Sequence, residues 1–278
     1  MSQVAPGPIG VFDSGYGGLT ILREIRRRLP MMSYLYLGDN ARAPYGTRSF
    51  DVVYQFTLEA VRYLFSRGCR LVILACNTAS AKALSTIQKR DLPAMDDGPR
   101  KVLGVILPTV EGIQGITATG HIGLLGTPGT VQSHSYDIEI SKIDPSLTVT
   151  SKACPMWVPL VENREADGPG ADYFVNKYIN ELFAADPVID TLVLGCTHYP
   201  LLLGKIADAV DGRARIITQG DLVAESLERY LDRHPEIDAL CSRGADCRYL
   251  TTEHPHKFNE LASLFLNHIV EAEHVDLT

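Results

Sequence analysis

Short apolar runs alternate along this chain with longer stretches of helical period, and this alternation constrains the fold more than any other feature. The run from Asp51 to Ser66 shows the helical period, because Val52, Val53, Phe56, Ala60, Tyr63 and Leu64 form one apolar stripe. The pattern predicts a parallel sheet covered by helices on both faces. The predicted strands are Ile9 to Phe12, Tyr34 to Leu37, Leu71 to Ala75, Val102 to Ile106, His121 to Leu125, Thr191 to Leu194 and Arg215 to Thr218.

Charge and composition exclude several classes of protein. The 278 residues carry a formal net charge of −7, so the surface repels phosphate backbones and anionic lipid, and neither nucleic acid nor membrane is expected as a partner. The basic run from Arg23 to Arg28 is expected to be the solvated face of a helix, since Leu22, Ile25 and Leu29 recur at helical spacing. Without a leader pattern or an apolar run of about 18 residues, the chain is expected in the cytoplasm.

Small polar residues follow four of the apolar runs, where an open α/β sheet forms its ligand crevice. Backbone N–H groups and hydroxyls at such turns can hold a carboxylate, although each turn could also serve only as a helix cap. The turn after Phe12 contains no nucleotide-binding glycine motif. The four turns are Asp13 to Gly18, Cys76 to Thr78, Gly126 to Thr130 and Cys196 to Tyr199.

The six cysteines differ in context. Cys76 and Cys196 stand between a strand and a helix start, where the helix dipole lowers the pKa of a thiol. Their flanking sequences, residues 71–78 and 190–197, are weakly alike. The contexts of Cys69 and Cys154 are more simply structural. Cys241 and Cys247 occupy a loop in which they could pair, whereas a metal site there lacks a second pair of ligands.

Two thiols at opposed strand ends suit the inversion of a chiral carbon. One base removes a proton from one face of the carbon, its partner returns a proton to the other face, and the two exchange roles with the direction of reaction. With a reference pKa of about 8.5, a thiol can serve as acid or base. Asp13, Glu162 and His198 are expected near the thiols or the substrate ammonium.

Seven motifs, in order and spacing, carry a resemblance to the bacterial glutamate racemase family over nearly the whole chain. They are FDSGYGGLTIL from Phe12, YLGDNARAPYG from Tyr36, ACNTASA from Ala75, GVILP from Gly104, GLLGTPGTVQS from Gly123, ACPMWVPLVE from Ala153 and LGCTHYPLL from Leu194. The resemblance implies an isomerase that needs no pyridoxal phosphate, other cofactor or metal. It also implies two similar α/β domains with the active site in the cleft between them, and a homodimer. We expect the first domain at residues 1–100 plus 219–278 and the second at 101–218, with a surface connection from Asp91 to Lys101.

The resemblance also implies roles for individual residues. Cys76 would act as base toward D-glutamate and Cys196 toward L-glutamate, to supply D-glutamate for peptidoglycan synthesis and hence for the cell wall. The substrate carboxylates and ammonium would be held by Asp13, Ser14, Tyr45, Gly46, Asn77, Thr78, Thr197 and His198.

The chain departs from the family at two places, and other functions stay open. Thr218-Gln219-Gly220 stands where Asp-Ser-Gly is frequent, and Met156-Trp157 stands where Leu-Phe is more usual. One alternative is racemisation of another acidic amino acid, such as aspartate. A cysteine-nucleophile hydrolase with His198 as base is a second, although it leaves Cys196 without a role. The third is a non-catalytic amino-acid-binding protein, although such proteins are usually exported.

Overall fold

The computed structural model describes residues 5–95 and 98–277, in which two parallel sheets are flanked by helices. This confirms the predicted α/β class. The strands in these ranges are β1 Ile9–Asp13, β2 Tyr34–Gly38, β3 Leu71–Leu74, β4 Lys101–Gly104, β5 His121–Gly126, β6 Thr148–Ala153, β7 Thr191–Gly195, β8 Arg215–Ile217, β9 Cys247–Thr251 and β10 Ala272–His274.

Helices precede or follow nearly every strand. They are α1 Gly18–Arg28, α2 Phe50–Ser66, α3 Asn77–Lys82, α4 Leu84–Thr86, α5 Ile106–Ile113, α6 Pro128–Gln132, α7 Ser135–Ile143, α8 Trp157–Glu162, α9 Pro169–Ala185, α10 Leu203–Val210, α11 Gly220–Arg233, α12 Pro235–Asp238 and α13 Pro255–Leu266. Short 3-10 turns cover Asn40–Arg42, Leu92–Ala94 and Tyr199–Leu202, and Ile87–Asp91 forms a π-turn.

The first sheet has the strand order β10-β9-β2-β1-β3-β4, and every pair in it is parallel. All five residues of β1 and all four of β3 are buried, because helices cover both faces of the sheet. The carboxyl ends of β1 and β3 lie side by side, with Phe12 paired to Leu74. Asp13 and Cys76 therefore emerge at the same edge of this sheet.

The second sheet has the order β6-β5-β7-β8 and is also parallel throughout. Its central strand pair, β5 and β7, ends with Gly126 paired to Gly195, so the turns that begin at Thr127 and Cys196 lie at one edge. A side chain at Gly195 would meet Leu124 at 2.8 Å, so a glycine allows close packing at this strand end.

Helix α1 contains the basic run, and its arginines lie on the solvent-facing side of the helix, as expected. Leu22 and Ile25 are buried, while Arg27 and Arg28 form surface ion pairs with acidic side chains. Helix α2 begins at Phe50 because the hydroxyl of Ser49 accepts a hydrogen bond from the N–H of Val52.

The chain passes from the first sheet to the second after β4 and returns at α11, which packs on α1. Strand β4 pairs with β3, so Lys101 to Gly104 lie in the first sheet, whereas the predicted boundary after residue 100 assigned them to the second domain. The reason is that Val102 is fully packed beside Val72. The division of the chain into domains otherwise stays a prediction.

The seven strand predictions are confirmed apart from their ends; the strand predicted at Val102 to Ile106 is β4, which ends at Gly104, and helix α5 already begins at Ile106. Strands β6, β9 and β10 were not predicted. Strand β6 reads TVTSKA and lies at a sheet edge, where it needs no continuous apolar run. The predicted connection at residues 91–101 contains a 3-10 turn at Leu92–Ala94, while its Asp96 and Asp97 lie outside the described residues.

Candidate active site

One cavity of about 100 Å³ lies between the carboxyl ends of the two sheets. This cavity is lined by all ten residues that were predicted as catalytic or substrate-binding: Asp13, Ser14, Tyr45, Gly46, Cys76, Asn77, Thr78, Cys196, Thr197 and His198. Topology explains the convergence, because parallel strands deliver the residues that follow them to one edge.

Cys76 reaches the cavity from the first sheet. It follows β3 and caps α3, where its Sγ lies 3.4 Å from the N–H of Ala79 and 3.4 Å from Oγ of Ser14. Burial, followed by the negative charge of Asp13, raises the pKa of this thiol to about 12, although the two hydrogen bonds oppose the shift. The expectation that a helix start lowers the pKa of Cys76 is therefore wrong, because burial outweighs the dipole of the short helix α3.

Cys196 reaches the same cavity from the second sheet, directly after β7. Its Sγ lies 4.0 Å from Nδ1 of His198, and Nε2 of the same imidazole lies 2.9 Å from Oε1 of Glu162. Burial alone would lower the pKa of His198, but the hydrogen bonds to Cys196 and Glu162 outweigh it and raise that pKa to about 10. At neutral pH the imidazole is therefore a cation beside the sulfur.

Asp13 ends β1 and is almost completely buried. Its Oδ1 accepts a hydrogen bond from the N–H of Gly15 at 2.8 Å. Burial raises the pKa of this carboxyl, whereas the nearby positive charge of His198 lowers it. The expected grouping of Asp13, Glu162 and His198 around the thiols is present.

The Tyr45–Gly46 turn forms another wall of the cavity. The phenol of Tyr45 donates to a carboxylate oxygen of Asp39, so its proton is already engaged at the end of β2. The carbonyl of Gly46 accepts from the N–H of Gly129, and a side chain at Gly46 would meet Thr127 at 2.9 Å. This turn therefore contacts the turn after β5 and the start of α6, on the side of the second sheet.

Hydroxyl groups close the side between α3 and α6. Thr78 Oγ1 lies 3.0 Å from Thr127 Oγ1, which lies 3.1 Å from Thr130 Oγ1. The side chain of Asn77, in contrast, is turned into a hydrogen-bond network with Gln219 and Tyr136. Asn77 can face the cavity only with its backbone, at the start of α3.

Further lining residues were not nominated as site residues. They are Ala43, Pro44, Thr47, Thr127, Pro128, Cys154, Pro155, Val158, Pro159 and Glu162. The sequence indicates the turn holding Thr127 only as a polar strand end, and Glu162 only as a neighbour of a thiol or of the substrate ammonium. The sequence context of Cys154 predicts a structural cysteine, because no pattern there predicts β6, the strand that precedes it. Its position beside the cavity follows from its place after that strand.

The other cysteines lie away from this cavity. Cys69 is buried just before β3, and Cys241 is buried near the N-terminal segment, where Gly7 bridges to it. Cys247 begins β9, so the expectation that it lies in a loop is wrong. All six cysteines are free thiols. Within the described ranges, no group of three or more His, Cys, Asp or Glu side chains could hold a metal ion.

Trp157, one of the two departures from the family pattern, is fully buried at the start of α8. Its ring packs edge-on against Tyr199, with the centroids 4.7 Å apart. Tyr199 follows His198 in the chain, so the indole supports the strand end that carries Cys196. The residue is part of the packing behind the cavity.

The arrangement can move protons on both sides of a small molecule. One thiol stands at each sheet, one of them protonated at neutral pH and the other beside a cation. Hydroxyls and helix-start N–H groups between them suit carboxylates, and the Asp13 and Glu162 carboxyls suit an ammonium group.

Comparison with known proteins agrees with this chemistry. The Asp/Glu/Hydantoin racemase family matches residues 9–227. The glutamate racemase of Streptococcus uberis is 37% identical over 271 residues, which cover 97% of this chain and 98% of that protein.

Two solved structures are similar over almost their whole length. A glutamate racemase isoform from Bacillus anthracis is 37% identical, with a TM-score of 0.88 and 98% of both chains covered. The Francisella tularensis glutamate racemase, solved in complex with D-glutamate, is 31% identical, with a TM-score of 0.85 and 97% of both chains covered. This chain belongs to the Asp/Glu/Hydantoin racemase family.

Proposed function

We propose that this chain is a glutamate racemase that interconverts L- and D-glutamate by proton transfer at Cα between Cys76 and Cys196. The observation that carries the proposal is the delivery of two thiols, from two different sheets, to a single small cavity. The similar proteins of Streptococcus uberis, Bacillus anthracis and Francisella tularensis bear the name glutamate racemase, which specifies the substrate.

The proton balance requires one thiolate and one thiol in each turnover. In the L-to-D direction Cys196 takes the Cα proton as a thiolate, and the electron pair left on Cα delocalises into the α-carboxylate. Cys76 then gives its proton to the opposite face of the carbon. The enzyme ends with the protonation states exchanged, which is the state that D-glutamate requires.

The electrostatics of the cavity support this starting state. The pKa of Cys76, raised to about 12, keeps that sulfur protonated and ready to act as the acid. His198, positively charged below its pKa of about 10, is placed to stabilise negative charge on Cys196. Each cysteine thus has a surrounding that suits one of the two roles.

Substrate binding follows from the groups left facing the cavity. We assign the carboxylates to Ser14, Thr78, Thr197 and the backbone at Asn77, and the ammonium to Asp13. Because the Tyr45 phenol and the Asn77 amide are engaged elsewhere, those residues, together with Gly46, contribute backbone and shape. His198 acts beside Cys196.

The resulting D-glutamate would serve peptidoglycan synthesis. The cytoplasmic location, the homodimer and the lack of a cofactor stay predictions of the resemblance. For the described residues, none of the helices combines the length and apolar character of a membrane span.

The experiment is a racemisation assay on the full chain, without added cofactor, by loss of optical activity of L- and D-glutamate. Cys76→Ala and Cys196→Ala are each expected to reduce turnover by at least about 1000-fold, because each removes one of the two proton carriers. Cys69→Ala is the matched control, since this thiol is equally buried but lies outside the cavity. It should racemise glutamate like the wild type.

Turnover of either cavity variant at the wild-type rate would refute the two-base reaction. Aspartate is assayed in parallel, and a higher kcat/KM for aspartate would refute glutamate as the substrate. Release of an acyl or amide product by the wild type, with no racemisation, would favour the hydrolase instead.

A further inference from the structure

Gln219 is a buried amide at the point where the chain returns from the second sheet to the first. It immediately precedes α11 and is only 3% exposed. Its Oε1 accepts a hydrogen bond from Nδ2 of Asn77 at 2.6 Å, and its Nε2 lies 2.8 Å from both the Thr109 and the Tyr136 hydroxyl oxygens. Gln219 does not line the cavity.

Two partners of Gln219 adjoin the two thiols. Asn77 follows Cys76 in the chain. Tyr136, in α7, lies beside Gly195, where an added side-chain carbon would be in ordinary van der Waals contact with the ring at 3.5 Å, and Gly195 immediately precedes Cys196. The Tyr136 hydroxyl also donates to Oδ1 of Asn77 at 2.7 Å. One network thus links the strand ends that carry both sulfurs.

Burial makes this network selective for one geometry. All four of its members are buried, so a polar atom that loses its partner finds no water to replace it. Thr109 Oγ1 is fixed in turn, because it donates to the carbonyl of Val105 at 2.6 Å. A displacement of Asn77 after β3 therefore breaks hydrogen bonds to Gln219 and Tyr136, and a displacement of Tyr136, which packs beside the end of β7, breaks the same network from the other side.

We propose that Gln219 is a positioning residue for racemisation, which holds the ends of β3 and β7 at the separation that lets both sulfurs reach one carbon. This inference rests on the proposed function. Proton transfer to opposite faces of Cα requires both thiols in place at once, so a displacement of about 1 Å costs on the order of 100-fold in rate. Gln219 acts through Asn77 and Tyr136 and touches neither substrate nor sulfur.

The test replaces Gln219 by methionine, which keeps length and volume but removes both polar groups. Gln219→Met is expected to lower kcat about 10- to 100-fold in both directions, with KM within about threefold of the wild type. Gln88→Met is the matched control, because Gln88 also uses its amide, to the carbonyl of Val102, but lies outside the network. Its kcat should stay within about twofold of the wild type.

Tyr136→Phe provides a second variant that removes one oxygen and keeps the ring. It is expected to lower kcat in the same way as Gln219→Met. The double variant should be little slower than the slower single variant, because either substitution breaks the same link. Melting temperature and circular dichroism of every variant report the folded fraction at the assay temperature.

The wild-type assay separates this proposal from the one on which it depends. A wild type that does not racemise glutamate refutes the proposed function itself. If the wild type is active, the positioning role is refuted by a Gln219→Met or Tyr136→Phe variant with wild-type kcat, by multiplicative losses in the double variant, or by a loss that matches the unfolded fraction. If Gln219→Met does not fold, Tyr136→Phe alone decides by its kcat.

Discussion

Glu162 Oε1 lies 2.9 Å from Nε2 of His198, on the side of the cavity that carries Cys196. The imidazole is buried and stands between this carboxylate and the sulfur. The two ring nitrogens therefore contact two different partners. A substitution of Glu162 changes the electrostatic surroundings of Cys196 through the imidazole, although Glu162 and Cys196 are not in contact.

The first prediction concerns this pair. Glu162→Gln removes the carboxylate that helps raise the pKa of His198 to about 10, so the pKa falls and the imidazolium is lost at lower pH. We expect kcat/KM to decrease about 10- to 100-fold at neutral pH, and the alkaline limb of the pH profile to move to lower pH. Profiles from pH 6 to 10.5 measure the shift.

Glu165→Gln is the control for this prediction, because Glu165 is exposed one turn of chain beyond Glu162. Its profile should match the wild type. An unchanged alkaline limb in Glu162→Gln would show that the carboxylate does not govern His198.

A second prediction concerns Ser14, whose Oγ lies 3.4 Å from Cys76 Sγ. This hydrogen bond lowers the pKa of the thiol against burial, so Ser14→Ala should raise that pKa further and make the thiolate harder to form. A hydrogen bond to a charged group is worth about 1.5–3 kcal/mol, which corresponds to about a 10- to 100-fold loss of kcat/KM. Because the reaction is reversible, both directions should lose equally.

Kinetics of both enantiomers measure this loss, with Ser85→Ala as a control because Ser85 is an exposed residue of α4 that does not line the cavity. A Ser14→Ala enzyme with wild-type kcat/KM would remove Ser14 from the proton-transfer machinery.

Gly17 gives a third prediction, because its position has no room for a side chain. An added carbon would lie 2.2 Å from Thr197 Oγ1 and 2.4 Å from His198 Nδ1. Gly17→Ala should therefore displace the groups beside Cys196 and lower kcat/KM by about 100-fold, as expected for a shift of about 1 Å.

Gly204→Ala is the matched comparison, since Gly204 lies inside α10 and a carbon added there meets nothing within 4 Å. This substitution should leave kcat/KM unchanged and stabilise the protein by about 0.5–1 kcal/mol. Calorimetry and the racemisation assay together test both variants, and full activity of Gly17→Ala would contradict the packing described at the Thr197 turn.

The fourth prediction follows from the exchange of thiol protons with solvent. In heavy water, L-glutamate should give D-glutamate that carries deuterium at Cα, because Cys76 returns a solvent-derived hydrogen. Mass spectrometry of early product measures this. Product that keeps the original hydrogen would indicate transfer within the substrate or through a single shielded carrier.

The sequence predicted those parts of the fold that depend on local pattern. The apolar runs at β1, β3 and β7 are buried on both faces, so they read as continuous strands, and the polar residues after them identify the cavity. Strand β6 was not predicted, because this edge strand contains Lys152 and three hydroxyl residues and therefore has no continuous apolar run. Without a prediction of β6, the position of Cys154 beside the cavity could not be predicted either.

Interactions between distant residues were beyond prediction for a different reason. Gln219 and Asn77 are 142 positions apart, and no local pattern shows that two buried amides will meet. The same holds for the pKa of Cys76, since its sequence neighbours suggest a helix dipole, whereas the burial that raises the pKa comes from the assembled fold.

The pairing of β2 with β9 also determines the order in which the first sheet can form during synthesis. Residues 247–251, which form β9, are synthesised after the other strands of both sheets except β10. A nascent chain that ends before them therefore exposes one hydrogen-bonding edge of Tyr34–Gly38. That edge of β2 stays unpaired until residues 247–251 have been synthesised and have added to it as β9.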